Sequence, residues 1–575
     1  MKKKMSVNSF RYILPCLLCV FMSFGRIGAQ AVKNDELSRN VIVERDYVAS
    51  KIDAEKVNPV PDPEDKPRSA PVQVNLETES DPSEVWPAAG KAEAAAYELP
   101  EKGNAKDGIF KAGLGFYWQV DGDFYYPLLK GDKYLLDIKL RHSSNWGRVT
   151  LQNGSKTRAM DHITSGALNF ESQFSSCRLV SSIDFNAGGF DYYGYSTVPA
   201  VQDAMKDTVG TFVSAGIDFK LFSTDVRNEL QYDFGLGYTY NGRNFGVMQH
   251  DLDLSGDING EVGDGRFGGK LDLDLHVFDI DNSAFAGVFP GANAKITLTP
   301  YYKWQGDNWD LSLGANLFVF GQKDAARPVA GSAEIRGNFG LVPGLFNLYA
   351  GISGDYSDNN YWDILQENHF IRPDLNVSPT YTPLAVDLGI KVNIMDGLLF
   401  DLGFDYNLIL DQYFYVNDTD GSGLYYNSFT TVSEPTTHKV SVNAGLYFNF
   451  VEGLDMKLTG KYNFWNTVEN LHAWQKPAWE VDFDAKYRFL KKWQVGLQYG
   501  FMGGRYALVF SPDAVSGEAV KMQDVHDINV SVSYDALDWL TVFAEGDNLA
   551  NIKADTYYGY TTFGINGKIG VSMYF

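Results

Sequence analysis

Hydrophobic and polar residues alternate along the chain from Ile109 onward. In the stretch 270–279 the odd positions from 271 to 277 are apolar, and Asp272, Asp274 and His276 occupy even positions. Successive side chains of a β-strand point to opposite faces of its sheet, so each such segment has one apolar and one polar face. The pattern predicts strands that are wet on one side and face either lipid or a dry core on the other.

Segment length separates these two possibilities. The stretches 398–410, 439–450 and 478–490 run for about 12 residues, close to the 9–11 that a tilted strand needs to cross a bilayer. Strands of soluble proteins are typically about half as long. The length therefore favours strands that span a membrane over the strands of a soluble sandwich.

The connections between segments show a second regularity. Short turns alternate with long polar stretches, as in outer-membrane barrels with short periplasmic turns and long extracellular loops. The short turns are 130–132, 223–225, 342–344, 395–397, 452–453, 491–492 and 536–538, and the long stretches are 142–163, 191–208, 357–382, 411–436 and 504–525. We therefore predict an all-β fold, a transmembrane antiparallel β-barrel of about 22 strands over residues 108–575.

Aromatic residues and the last strand fit this placement. Tyr and Trp prefer the headgroup level of a membrane, and aromatic groups lie beside predicted strand ends. These groups are Phe116–Trp118, Phe124–Tyr126, Tyr301–Tyr302 and Tyr413–Tyr415. In the final segment Ile569, Val571 and Met573 alternate with polar or small residues and lead to Phe575. This resembles the C-terminal signal of outer-membrane barrels, which implies recognition of Phe575 by the barrel-insertion machinery.

The first residues predict export. Lys2–Lys4 precede an apolar run at 13–24 and small residues at 28–31, which is the layout of a secretory signal peptide. The apolar run is shorter than the roughly 20 residues of a membrane-spanning helix. We predict a signal peptide over residues 1–29, with cleavage after Ala31 as an alternative, and we favour it over an N-terminal anchor.

Residues 30–107 differ from the barrel in composition. They contain eight prolines and many acids, and they show no sustained periodicity. This composition is typical of an extended chain, so we predict an extended N-terminal periplasmic segment. Asn40–Glu44 could form one short strand within it.

Charge and cysteine content exclude some function classes. The formal net charge is −23, and it becomes about −28 without the five basic residues of the predicted signal. Binding of nucleic-acid phosphates requires Lys and Arg, so we predict no nucleic-acid partner. Cys16 and Cys19 lie in the signal, and Cys177 alone remains in the mature chain, which excludes a disulfide framework and a cysteine-based metal site.

Two acidic stretches are candidate cation sites. The sequence 418–423 has the oxygen ligands and glycine of a calcium loop, but Phe429 occupies the place of the bidentate glutamate. A second stretch contains Asp251, Asp253, Asp257, Glu261, Asp264, Asp272, Asp274, Asp279 and Asp281. We interpret the first as a polar loop tip, and the second as the water-facing side of strands, with a cation-lined lumen as the alternative.

Catalysis finds no support in the sequence. None of the eight histidines falls in a recognisable motif with a nucleophile and an acid, and the spacing of His142 and Ser144 is no more than chance allows. No lipase, zinc-protease or nucleotide-binding motif is present. We predict that the chain is not an enzyme and nominate no catalytic, cofactor-binding or metal-ligating residue.

The C-terminal end resembles the barrel of TonB-dependent receptors. The resemblance lies in Glu545–Asn551, in Tyr558–Tyr560 and in the spaced residues Gly564, Gly567, Gly570 and Phe575. The stretch Arg39–Tyr47 resembles outer-membrane proteins of Bacteroides-type bacteria. The resemblance implies an outer-membrane location, contact with outer-membrane lipid and lipopolysaccharide, and a role in solute uptake or passage.

One departure from that family stands out. A family plug domain needs well over a hundred residues of folded chain, whereas about 75 Pro-rich residues separate the signal from the first strand. Three arrangements stay open: a lumen filled by the N-terminal segment and loops, a passive pore, or an accessory barrel occluded within a complex. We therefore keep as an alternative function a non-transporting structural subunit with other outer-membrane proteins or lipoproteins as partners.

Overall fold

The computed structural model describes residues 108–194, 208–224, 230–322, 325–418, 428–510 and 517–575. The predicted signal peptide, the segment 30–107 with Asn40–Glu44, and residues 419–423 of the candidate calcium loop lie outside the described residues. Among the described residues, no helix is long and apolar enough to span a bilayer.

The described chain consists mainly of β-strands, with one α-helix and two 3₁₀ turns. The strands are β1 Ile109–Gly115, β2 Gln119–Gly131, β3 Tyr134–Thr150, β4 Lys156–Gln173, β5 Cys177–Asp191, β6 Val209–Ser223, β7 Leu230–Arg243, β8 Val247–Val262, β9 Gly265–Ile280, β10 Ala292–Gln305, β11 Trp309–Gly321, β12 Val329–Val342, β13 Phe346–Ser357, β14 Thr380–Met395, β15 Leu398–Asn417, β16 Phe429–Val451, β17 Leu454–Thr467, β18 Trp479–Phe489, β19 Trp493–Gly503, β20 Tyr506–Val509, β21 Glu518–Lys521, β22 Val525–Leu537, β23 Leu540–Asp547, β24 Asp555–Tyr557, β25 Tyr560–Thr561 and β26 Asn566–Tyr574. The helix α1 is Tyr361–Glu367, and the 3₁₀ turns are Phe116–Trp118 and Ser283–Phe285.

Twenty-two of these strands form one closed antiparallel barrel. Strands β1–β19, β22, β23 and β26 pair with their neighbours along the chain, and β1 also pairs with β26, where Ile109 lies opposite Tyr574. Closure leaves no free sheet edge, which is the condition for strands to span lipid. The predicted fold and the count of about 22 strands are confirmed. The remaining strands form two small hairpins, β20–β21 and β24–β25.

The alternating sequence explains the two faces of the wall. On β8, Leu254, Ile258 and Val262 are exposed on the outside, although they are apolar. Asp253 and Asp274 lie opposite each other on neighbouring strands and face inward. An apolar outer face and a polar lumen distinguish a membrane barrel from a soluble one, in which the apolar residues are buried.

The two ends of the barrel differ, as predicted. All seven predicted short turns lie at one end, for example between β14 and β15 at 396–397 and between β16 and β17 at 452–453. The described chain also starts at this end, where the Gly108 amide donates to the Phe575 carbonyl at 2.8 Å. The connections 281–291, 358–379 and 548–565 lie at the other end, and β5 also ends there.

Two predicted long loops were wrong in extent. Most of 142–163 is strand, because β3 continues to Thr150 and β4 begins at Lys156. Most of 411–436 is likewise strand, with β15 ending at Asn417 and β16 beginning at Phe429. These extensions lie at the end of the barrel that carries the long connections. Backbone pairing continues there after the alternation has ended.

The structure shows whether two of the predicted interface aromatic groups are exposed or buried. Phe116, Tyr117 and Trp118 are exposed beside a strand end at the long-loop side. Phe414 and Tyr415 were placed wrongly, since both are buried at the barrel mouth rather than exposed to the membrane interface. Both aromatic groups lie beside a loop in the sequence. Their position in the sequence therefore could not reveal which way the rings point.

Candidate functional site: the lid over the barrel mouth

Three long connections meet across the mouth of the barrel. We call the connections 281–291, 358–379 and 548–565 the lid. The strands that flank 358–379 and 548–565 are far apart around the ring, yet the Phe370 and Tyr560 rings stack with centroids 3.7 Å apart. The Phe289 and Tyr361 rings of the other two connections lie 5.3 Å apart. Such contacts are possible only if the loops fold inward over the lumen.

Helix α1 forms the centre of the lid. Asn360 caps it by accepting a hydrogen bond from the Asp363 amide at 3.0 Å, and Tyr361, Ile364 and Leu365 lie on one buried face. Gln249 on the inner wall accepts from the Trp362 amide at 3.1 Å. The helix is therefore attached to the wall beneath it. The long stretch 357–382 was predicted as a polar loop, although Asn360 and the apolar spacing 361, 364 and 365 signal a short helix.

An apolar core joins the lid to the strand ends. Phe370 contacts the inward-facing Phe190 ring at 5.9 Å and the Tyr193 ring at 5.7 Å. Ile371 forms an isolated parallel bridge with Phe429, and both are fully buried. The buried residues of this core also include Val149, Leu151, Val247, Phe285, Leu375, Val377, Tyr557 and Phe563. The mouth thus contains a packed core like that of a small soluble domain.

Glu367, the last residue of α1, is the main polar anchor of the lid. Its carboxylate accepts from Lys476 Nζ at 2.8 Å, from Tyr415 Oη at 2.9 Å and from the Tyr413 hydroxyl. Burial alone would raise the pKa of Glu367, but the Lys476 ammonium and the hydrogen bonds outweigh it and hold the pKa below its ordinary value. Glu367 is therefore ionised and fully partnered in the closed lid.

A second anchor lies at the start of the same connection. His276 on the inner wall reaches Asp358 Oδ2 with Nε2 at 2.9 Å and Asp251 Oδ1 with Nδ1 at 2.5 Å. Burial would raise the pKa of Asp358, but His276 and Lys295 lower it below the usual range. This triad joins the loop to β8 and β9.

Two buried arginines complete the set of anchors. Arg243 donates to the Tyr361 hydroxyl at 2.5 Å and also to the Tyr192 hydroxyl, and the Phe245 ring lies 5.1 Å away. Arg505 donates to the carbonyl oxygens of Asp555, at 2.7 Å, and of Thr556. Burial lowers the pKa of Arg505 to about 10, so it remains charged at neutral pH. Each arginine joins the wall or a neighbouring loop to the lid.

Below the lid, the lumen wall is lined with charged side chains. Lys295 and Asp274 pair at 3.0 Å, and Glu334 and Arg336 pair at 2.8 Å. Near the seam of the barrel Lys568 Nζ lies 2.6 Å from Asp121. The wall therefore carries both signs of charge and suits a hydrated, polar solute better than an apolar one.

The acidic stretch singled out in the sequence is split by the fold. Asp251, Asp253 and Asp257 on β8, with Asp272 and Asp274 on β9, face the lumen, whereas Asp279 is exposed on the outer face. Among the described residues, no group of three or more His, Cys, Asp or Glu side chains is arranged to hold a metal ion. Asp418 of the candidate calcium loop lies 3.5 Å from Arg372.

His142 and Ser144 do not form a catalytic pair. His142 Nδ1 contacts Thr164 Oγ1 at 2.8 Å, and Ser144 donates to the Val120 carbonyl at 3.4 Å. The residues that matter most at the mouth, Glu367, Asp358 and Lys476, were not nominated from the sequence. Their partners are distant in sequence, so no local motif indicates them.

The fold is known from solved transport receptors. No family model and no curated protein matches the sequence. The FrpB iron transporter from Neisseria meningitidis matches with a TM-score of 0.63 at 10% identity, over 82% of this chain and 81% of that chain. The ferric enterobactin receptor PfeA from Pseudomonas aeruginosa, solved as a mutant, matches at 0.58 and 12%, over 81% and 80%.

A third structure agrees with these two. The ferric-catecholate import receptor Fiu from K12 E. coli matches with a TM-score of 0.57 at 10% identity, over 83% of this chain and 82% of that chain. At these identities the likeness concerns the fold, which is that of the outer-membrane barrels of TonB-dependent receptors. The names of these proteins describe transport and not catalysis, which fits the prediction of a non-enzyme.

Proposed function

We propose that this chain is an outer-membrane barrel for uptake or passage of a polar solute, and that the lid is the gate at its extracellular mouth. The observation that carries the proposal is a packed lid over a polar, charge-lined lumen. The shared fold with proteins named as iron and copper transporters supports it. The charged lumen wall favours a hydrated solute over an apolar one.

The lid suits a gate better than a permanent cap. It is held by an apolar core and by a few desolvated polar contacts, of which Glu367 with Lys476 and Asp358 with His276 are the main ion pairs. Opening would rehydrate these charges while the barrel strands stay paired. An element held in this way can open separately from the rest of the molecule, because local stability is set by its own contacts.

The N-terminal segment and the C-terminal aromatic have places in the proposal. The described chain starts beside the short turns, so residues 30–107 join the barrel at its periplasmic end, where they could contact periplasmic or outer-membrane proteins. Phe575 stacks on Tyr126 with ring centroids 5.8 Å apart at the seam of the barrel. Recognition of Phe575 by the insertion machinery would therefore precede closure of the seam.

A reversible lock tests the gate. In a Cys177→Ser background, Ile371→Cys and Phe429→Cys place two thiols at paired positions of the lid and β16. The Arg372 amide donates to the Phe429 carbonyl at 3.0 Å, so the lid segment and β16 lie side by side there. A disulfide at such a position needs little backbone movement. Single-channel conductance in a planar bilayer would be recorded before oxidation, after oxidation and after reduction.

We expect rare channel openings before oxidation and none after oxidation. The openings should return after reduction of the disulfide. Glu367→Gln should increase the openings, and Glu334→Gln on the lumen wall is the matched control, which should not. Large, steady currents from the oxidised protein would show that the lid does not close the lumen. The same set repeated without residues 32–107 separates occlusion by the lid from occlusion by the N-terminal segment.

One observation favours the alternative of an accessory subunit. The connection between β17 and β18 presents Val468 and Leu471 with 68% and 73% of each residue exposed. The Glu434 carboxylate accepts from the amides of Val468, Glu469 and Asn470 at 2.8–3.2 Å and fixes this loop. Rigid exposed apolar residues suit a protein partner. Two results together would favour this function. No variant would conduct in the bilayer, and a photocrosslinker at position 471 would yield an adduct that Val468→Ser abolishes.

A further inference from the structure

Five of the eight histidines lie on the outer, membrane-facing side of the barrel. They are His142, His162, His250, His438 and His526. Three of them repeat one contact, in which Nδ1 meets a tyrosine hydroxyl. The pairs, which we call the His–Tyr pairs, are Tyr238 with His250 at 2.9 Å, Tyr406 with His438 at 2.9 Å, and Tyr499 with His526 at 3.0 Å.

The three pairs share their geometry as well as their composition. In each, the tyrosine and the histidine lie diagonally on adjacent antiparallel strands, and the ring centroids are 6.2–6.3 Å apart with ring planes inclined by 28–31°. The strand pairs are β7–β8, β15–β16 and β19–β22, and at least two other strands lie between one pair and the next around the ring. Repetition at independent sites indicates a common environment at one height on the barrel.

Each histidine stands at the same edge of the apolar outer band. On the short-turn side of His250 the outward residues are Leu252, Leu254, Gly256 and Ile258, and the runs beside His438 and His526 begin with Val440 and Ile528. The strands end at Val262, Val451 and Leu537 respectively. At about 3.3 Å per residue and a tilt near 40°, each histidine lies about 30 Å from the end of its strand along the barrel axis. This is the thickness of the hydrocarbon core.

The hydrogen bond to tyrosine orients each imidazole. A tyrosine hydroxyl that donates to Nδ1 leaves the ring proton on Nε2, so the free side of the ring presents an N–H donor. Among the described residues, Nε2 of these three histidines has no hydrogen-bond partner. The rings are partly exposed. An oriented donor without a protein acceptor, at the headgroup level, matches an acceptor supplied by lipid.

We propose that the His–Tyr pairs bind phosphate groups of outer-leaflet glycolipid, one lipid to each pair. A phosphate oxygen accepts from Nε2–H, and a charge-assisted hydrogen bond of this kind is stronger than a neutral one. The acyl chains would lie along the apolar run beneath each histidine. His250 should bind most weakly, because the exposed carboxylate of Asp279 lies on the same outer face beside it. This inference does not depend on the gate.

Lipid retention measured by native mass spectrometry tests the proposal. The purified full chain would be incubated with diphosphoryl lipid A or with the same lipid after dephosphorylation. We expect up to three phosphorylated lipids per barrel and at least a fivefold lower retention of the dephosphorylated lipid. His438→Phe, His526→Phe and His250→Phe should each remove one lipid, and the triple variant should remove all three.

Two controls keep the outcome decisive. His472→Phe alters a histidine stacked on Tyr506 at 3.9 Å in the loops, away from the outer band, and should leave retention unchanged. If the triple variant fails to fold, Tyr238→Phe, Tyr406→Phe and Tyr499→Phe keep the rings and remove only the orienting hydroxyl. Equal retention of both lipids, or unchanged retention in the folded variants, would overturn the proposal and leave the pairs as packing contacts.

Discussion

In the lid, the Glu367 and Lys476 side chains lie 2.8 Å apart with 17% and 9% of their surfaces exposed. On the lumen wall, Glu334 and Arg336 also lie 2.8 Å apart, but the arginine is 59% exposed and the glutamate 19%. The distances are equal, whereas the basic partner is 9% exposed in the lid and 59% exposed on the wall. Exposed pairs contribute about 0–1 kcal/mol, while breaking a buried pair by removing one partner costs about 3–5 kcal/mol.

The comparison shows how one set of residue types serves two purposes. On the wall, pairs such as Glu334 with Arg336 stay exposed to water and provide a polar surface. In the lid, the same groups are desolvated and joined to aromatic hydroxyls, so they hold a loop in place. Surroundings therefore decide whether a charge lines the lumen or closes it.

The largest effect is expected from Glu367→Gln. It leaves the Lys476 ammonium buried without its carboxylate, so lid opening should become easier by about 3 kcal/mol or more. Hydrogen exchange of peptides within 358–379 measures this opening directly. Glu334→Gln, the matched control, should change exchange in the lid by less than about 0.5 kcal/mol. Equal effects of the two variants would refute the distinction between lid and wall.

Acid should weaken the lid through its carboxylates. The pKa values of Glu367 and Asp358 are lowered in the closed lid, so their contribution is present above the ordinary carboxyl pKa values of about 4. It is lost as pH falls through the lowered values. We expect lid exchange, corrected for its intrinsic rate, to rise as pH falls below about 4. In Glu367→Gln with Asp358→Asn, this rise should be much smaller.

A smaller effect is expected from removing one methyl group of the lid core. Ile371 is fully buried against Phe429, so Ile371→Val should ease lid opening by about 1 kcal/mol. Ile258→Val, on the exposed outer face, makes the same chemical change where lipid replaces protein contacts. It should leave lid exchange unaltered. A similar response of the lid to both variants would mean that the lid is not a separately packed unit.

The smallest effect on stability is expected on the wall. Asp253→Asn alters a lumen-facing carboxylate opposite Asp274, and we expect lid exchange to stay within about 0.5 kcal/mol. Ion selectivity of the opened channel should shift away from cations, because one negative charge is removed from the lumen. Reversal potentials across a salt gradient, recorded in the Glu367→Gln background, measure this shift. Unchanged selectivity would place Asp253 outside the conduction path.

The predicted loops show which part of a strand the sequence pattern can locate. The stretch 142–163 looked like a loop because its outward positions lose their apolar character above the membrane, yet β3 and β4 continue through most of it. The alternation reports contact with lipid and not strand formation itself. Sequence therefore located the membrane-spanning parts of the strands better than the strand ends.

The sequence by itself determined the barrel. Lipid contact requires an apolar residue at every second position, and closure requires each strand to pair with its neighbours, so the architecture is written as a local, repeating pattern. That pattern was sufficient to predict about 22 strands and the two unlike ends.

Only the tertiary structure decided the lid. Glu367 meets Lys476, and Asp358 meets His276, across separations of roughly a hundred residues for which the chain carries no periodic signal. Such contacts arise where distant loops converge over the mouth. Burial then sets the pKa values and the free energy of opening, since the strength of a charge pair depends on the water excluded around it.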